Sequence, residues 1–131
     1  MDEMYQALSK IRWEAASPVA ESNGDLTVRL PGGRTQKVRV SRQGTSYFFT
    51  SIVAARRILD GFTPDRLAAV VWQRNHAGEV VAFGLDGRGR LIGKAEMPAS
   101  MLSVENVHFY VERIASECDR LEYLLSGRDH E

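Results

Sequence analysis

Val104, Val107, Val111, Ile114, Cys118, Leu121 and Leu125 follow one another at alternating intervals of three and four residues. That spacing matches the turn of an α-helix and lines all of them along one side of a single helix from Ser103 to Ser126. Both ends are marked. Ser103 suits the N-cap, Glu105 places an anion in the first turn, and Gly127 is the residue type that ends helices in a left-handed conformation. An apolar stripe of this length must cover an apolar surface, so the preceding segments are candidates for that surface.

Residues 2–16 carry Tyr5, Leu8, Ile11 and Ala15 at helical spacing and stop before Pro18, which predicts an amphipathic first helix. After a turn-rich connection, Leu26, Val28 and Leu30 alternate with Thr27 and Arg29 as a half-buried strand, broken by Pro31-Gly32-Gly33. Gln36, Val38 and Val40 repeat the alternation, and Gln43-Gly44 turns into a third strand, Tyr47 to Val53. Residues 54–59 read as a helical turn at most. Thr63-Pro64-Asp65 opens a helix that closes at Gly78. Strands at 79–85 and 90–97 flank Asp86-Gly87-Arg88-Gly89, a hairpin signal that expects positive φ at Gly87. The predicted order is α-β-β-β-α-β-β-α. It defines an α+β fold, a single antiparallel sheet of about five strands with helices packed on it, in one domain over residues 1–131.

A chain of 131 residues can bury a core without metal or disulfide, and its lone cysteine, Cys118, falls in the helix stripe, where it reads as a packed thiol. Neither a secretory leader nor a long apolar span is recognisable, so the expectation is a cytoplasmic protein without a membrane partner. Acidic and basic residues balance at 17 each, yet residues 29–94 hold twelve basic against four acidic groups, while both ends are acidic. Such segregation fits a basic binding face, or acidic helices lying near a basic sheet.

No constellation points to catalysis, a metal or a cofactor. His76, His108 and His130 are too scattered to share a helix face, and Glu105-x-x-His108 is half of a di-iron motif that needs a second copy. Cys118 lies between Glu117 and Asp119, which disfavour a thiolate. Gly87-x-Gly89 joins two strands instead of opening a helix, which argues against a dinucleotide site. The expectation is a protein that is not an enzyme.

Arg29, Lys37 and Arg39 have the strand parity opposite to Val28, Val38 and Val40, so they are expected on the sheet face away from the helices, near Arg34 and Arg42 and beside Tyr47 and Phe49. This group is a candidate partner-binding surface. Basic strands with interleaved aromatics fit a single-stranded nucleic-acid binder, and equally the solvated face of an ordinary antiparallel sheet.

The run Gly33 to Val40 leading to Tyr47-Phe48-Phe49-Thr50-Ser51, the hairpin from Ala82 to Leu91, and Met97-Pro98 followed by the helix from Val107 to Leu125 resemble the YbjN-like family. The resemblance covers about residues 24–127, and that family is similar in fold to the type III secretion chaperones. It implies a non-enzymatic bacterial module that binds another protein as a chaperone or adaptor or acts in regulation or stress response, often as a homodimer; it supplies no catalytic or cofactor residues. Surplus apolar surface also predicts a homodimer, with Trp72, Phe109, Tyr110 and Tyr123 as candidate contacts. Single-stranded nucleic-acid binding through the basic face is the alternative function.

Overall fold

Apolar residues at every second position give a sheet one wet and one dry face, and the computed structural model, which describes residues 18–20, 25–77 and 80–126, shows that sheet. Its strands are β1 (Pro18–Ala20), β2 (Asp25–Arg29), β3 (Thr35–Gln43), β4 (Ser46–Ala54), β5 (Ala82–Leu85) and β6 (Leu91–Pro98), ordered β1-β2-β3-β4-β6-β5 with every pair antiparallel. The helices are α1 (Arg56–Leu59), α2 (Pro64–Ala77) and α3 (Val104–Ser126). All five expected strands are present. β1 is a short sixth at the edge, beginning with a proline that only an edge strand tolerates well. The helix expected over 2–16 lies outside the described residues.

Local chemistry accounts for most boundaries. Thr63 Oγ1 accepts from Arg66 N–H at 3.2 Å to start α2, and Ser103 Oγ accepts from Asn106 N–H at 3.1 Å to start α3. The two-residue loop between Gln43 and Ser46 places Gly44 at φ +62. In the β5–β6 turn the positive φ belongs to Gly89 (+76), which corrects the expectation for Gly87: Asp86 Oδ1 accepts from the N–H groups of Arg88 and Arg90, and Asp86 C=O accepts from Gly89 N–H at 3.0 Å. Pro98 is the final residue of β6 and pairs with Ser46.

α3 lies across β3, β4 and β6. Its stripe, Val107, Val111, Ile114, Cys118, Leu121 and Leu125, is buried as the spacing predicts, over Val38, Val40, Tyr47, Phe49, Ala95 and Met97. Gly93 lies against Cys118 of α3, where an added Cβ would overlap the sulfur. α2 packs on the β5 side, where Asn75 accepts from Phe83 N–H at 2.6 Å and donates to Phe83 C=O at 3.0 Å. One carboxamide thus takes the place of a neighbouring strand on the outermost strand of that edge, a device that blocks edge pairing. Asn75→Ala is expected to speed amide exchange at Phe83 and to cost about 1–3 kcal/mol for the bonds left unmade. Unchanged exchange at Phe83 would show that the carboxamide does not guard the edge.

The sheet forks at Arg39. Before it β3 pairs with β2, and from it onward β3 pairs with β4, whereas Ser51 to Ala54 of β4 pair only with β6. Side chains bridge the fork. Gln36 Nε2 donates to Ser51 Oγ (2.7 Å) and Ile52 C=O (2.8 Å), and Ser51 Oγ donates to Lys37 C=O (2.6 Å). Buried polar groups that would otherwise lose their ladder partners are satisfied in this way.

Candidate functional site

Strand pairing decides which predicted site residues meet. Arg29, Lys37 and Arg39 are exposed on the outer face, away from α3, as their parity predicts. Tyr47 and Phe49 are not beside them. The tight β3–β4 hairpin pairs Arg42 with Tyr47 and Val40 with Phe49, which carries both aromatics to the helix side and into the core. Arg42 shares that side, with its guanidinium 5.4 Å from the Tyr47 ring centroid. Arg34 also leaves the outer face: its Nε and Nη2 reach the Asp119 carboxylate of α3 at 2.9–3.1 Å and its guanidinium lies 5.3 Å from the Tyr123 ring. The bond and charge of Asp119 hold the Arg34 pKa above its usual value. These contacts tie the β2–β3 turn to α3.

The outer face instead carries Phe48, Ile52 and Ile92, with Lys94 Nζ 4.6 Å above the Phe48 ring. Beside them the fork opens into a cleft of about 840 Å³. Lys37, Arg39, Thr50 and Ile92 line it from the strands, Arg88 from the β5–β6 turn and Glu122 from α3. Asp86 at its rim is bound by Arg90 (2.7–2.9 Å), and these bonds, with that from Arg88 N–H, hold its pKa below the usual carboxylate value. It is a weak base at neutral pH. The fork had a sequence signal: Gln36 and Ser51 are polar residues in otherwise apolar registers.

The candidate dimer contacts lie on two helices, α2 and α3. Trp72 stands on α2, 65% exposed, and Leu85 on β5 is 62% exposed. Phe109 and Tyr123 are exposed on α3, about 21 Å apart along its axis. Tyr110 is partly buried, stacked on Phe49 with centroids 5.5 Å apart. Cys118 is fully buried, and loss of solvation pushes its thiol up to about 12, so it is protonated at neutral pH. His108 is half-buried, 3.1 Å from Glu112. Among the described residues no set of three or more metal-ligating side chains converges, and no helix is long and apolar enough to cross a membrane.

No protein-family model and no curated protein sequence matches the chain. Solved structures share its fold. YbjN from E. coli superposes with a TM-score of 0.65 at 16% identity, covering 98% of this chain and 91% of that one. The heterodimeric ExoU-SpcU complex from the type III secretion system of Pseudomonas aeruginosa gives 0.60 at 18% identity, covering 95% of this chain and 97% of that one. The ExsC-ExsE complex gives 0.61 at 13% identity, covering 95% and 91%. The fold is therefore YbjN-like and type III secretion chaperone-like.

Proposed function

We propose that this chain is a non-enzymatic protein-binding module of chaperone or adaptor type, working in the bacterial cytoplasm as a homodimer. The observation that carries the proposal is large apolar area left uncovered on ordered elements, above all Trp72 on α2 and Leu85 on β5. Exposed tryptophan is costly to keep in water and typical of interface centres. The fold supports the same reading, because the ExoU-SpcU and ExsC-ExsE structures are complexes between two proteins.

Nucleic acid is the weaker reading. With Tyr47 and Phe49 in the core and Lys94 over Phe48, the outer face offers little open aromatic surface for stacking bases. Sedimentation equilibrium at micromolar concentration is expected to give the mass of two chains, and Trp72→Glu the mass of one. Affinity capture from a bacterial lysate is expected to return one dominant, stoichiometric protein. A mass of one chain at all concentrations would end the homodimer, and recovery of nucleic acid alone would end the protein-binding reading.

A further inference from the structure

We propose that Asp60-Gly61, at the C-terminal end of α1, is a modification site where the chain converts spontaneously to isoaspartate, in preference to its other described Asp-Gly pair, Asp86-Gly87. The reaction is a ring closure within the chain. The Gly61 backbone nitrogen attacks the protonated Asp60 carboxyl at Cγ; the new C–N bond forms as water leaves and the nitrogen gives up its proton, which makes a cyclic succinimide. Water then adds to one ring carbonyl and reopens the ring. Opening at the α-carbonyl leaves the main chain running through Cβ, with the former α-carboxyl as a side group, so no atom is gained and no oxidant is needed. Glycine after the acid admits the attack because it has no side chain to shield its nitrogen.

The two pairs differ in what holds the acid. Asp86 Oδ1 accepts from the N–H groups of Arg88 and Arg90 at 2.9 Å each, and Oδ2 accepts from Arg90 Nε at 2.8 Å and Nη2 at 2.7 Å. Those bonds fix the carboxylate, and its lowered pKa keeps the reactive protonated form scarce. Asp60 is exposed, and its carboxylate has no hydrogen-bond or ion-pair partner in the described structure. α1 has only four residues, and Gly61 N–H returns to Ile58 C=O at 3.2 Å. Its last turn therefore opens easily, and Asp60 can leave φ −62, ψ −17 for the extended conformation that ring closure requires. The product would sit between Leu59, buried, and Phe62, packed on the core, at the join leading into α2.

Incubation of the full folded chain at mildly acidic pH in water enriched in heavy oxygen, followed by peptide mapping with mass spectrometry, tests the proposal. Each ring opening leaves one heavy oxygen at the aspartate, isoaspartate peptides separate on chromatography, and the map keeps both sites apart from Asn23-Gly24, which deamidates through the same ring. Asp60 is expected to take up label at least about tenfold faster than Asp86, the factor set by one hydrogen bond to a charged group that must open first. In urea, where both turns are lost, the two rates are expected to converge. Gly61→Ala is expected to remove most of the uptake at Asp60 while keeping the turn, since the added Cβ would stand 3.4 Å from the Ile58 carbonyl oxygen. Arg90→Ala, which removes two of the four bonds on the Asp86 carboxylate, is expected to raise uptake at Asp86 toward that at Asp60. Circular dichroism checks that the variants fold. Equal rates in the folded chain, a faster Asp86, or the same ratio in urea overturns the proposal. Undiminished uptake at Asp60 in Gly61→Ala, or an unchanged Asp86 in Arg90→Ala, overturns it as well.

Discussion

Gly93→Ala is expected to destabilise the fold by about 1–3 kcal/mol, although alanine is intrinsically better than glycine in a strand by about 0.5–1 kcal/mol. Packing decides the sign. Gly93 lies in β6 opposite Ser51, facing α3, and a Cβ there would overlap Cys118 Sγ and stand 3.1 Å from both Phe83 and Val81. Those neighbours are buried, so none can swing into solvent. Cys118→Ala removes the overlapping sulfur and is expected to rescue part of the loss, with a coupling of about 0.5–3 kcal/mol in a double-mutant cycle read from urea denaturation. Gly84→Ala is the control, because nothing lies within 4 Å of the Cβ it would add. Wild-type stability for Gly93→Ala would mean that α3 does not approach β6 this closely.

The elements and the buried face of α3 were legible because each rests on local chemistry: a side-chain period, a capping hydroxyl, a proline or a glycine. Ser103, Thr63 and the stripe from Val107 to Leu125 behave as their positions dictate. Where the sequence reading failed, two strands had to be placed in register. Arg29, Lys37 and Arg39 follow from parity within one hairpin, but Tyr47 and Phe49 depend on how many residues the β3–β4 loop holds. Two loop residues put Phe49 opposite Val40, and a one-residue slip would have put it on the outer face. Gly89 replaced Gly87 for a related reason, since the Asp86 carboxylate organises the turn up to Arg90.

The candidate site was less legible than the fold because its parts are brought together over long sequence separations. Asp119 meets Arg34 across 85 residues, and Arg88 joins Lys37 only through the position of β6 beside β4. Charge segregation was visible as a basic middle segment, and the structure resolves it in two ways. Arg34 pairs with an acid of α3 while Lys37 and Arg39 line the fork. The alternative of an acidic helix near a basic sheet therefore describes Arg34, whereas Lys37 and Arg39 lie on the outer face away from α3.

Leu121→Ala is expected to carry the largest cost of the substitutions considered, about 2–5 kcal/mol, because it removes a side chain with no exposed surface from between α3 and the sheet. The size of the loss depends on how far the surroundings collapse into the space, and a sheet held by antiparallel ladders on one side and a helix fixed at Ser103 on the other has little freedom to do so. Leu124→Ala on the same helix changes the same atoms and the same helix propensity at a site that is 42% exposed, so the difference between the two variants isolates burial. Urea midpoints measured at one protein concentration are expected to fall well below wild type for Leu121→Ala and only slightly for Leu124→Ala, with unchanged slopes. Equal midpoints would show that the wrong face of α3 has been placed inside. A larger fall for Leu124→Ala, growing with dilution, would instead show that a second chain covers that residue in the assembled protein.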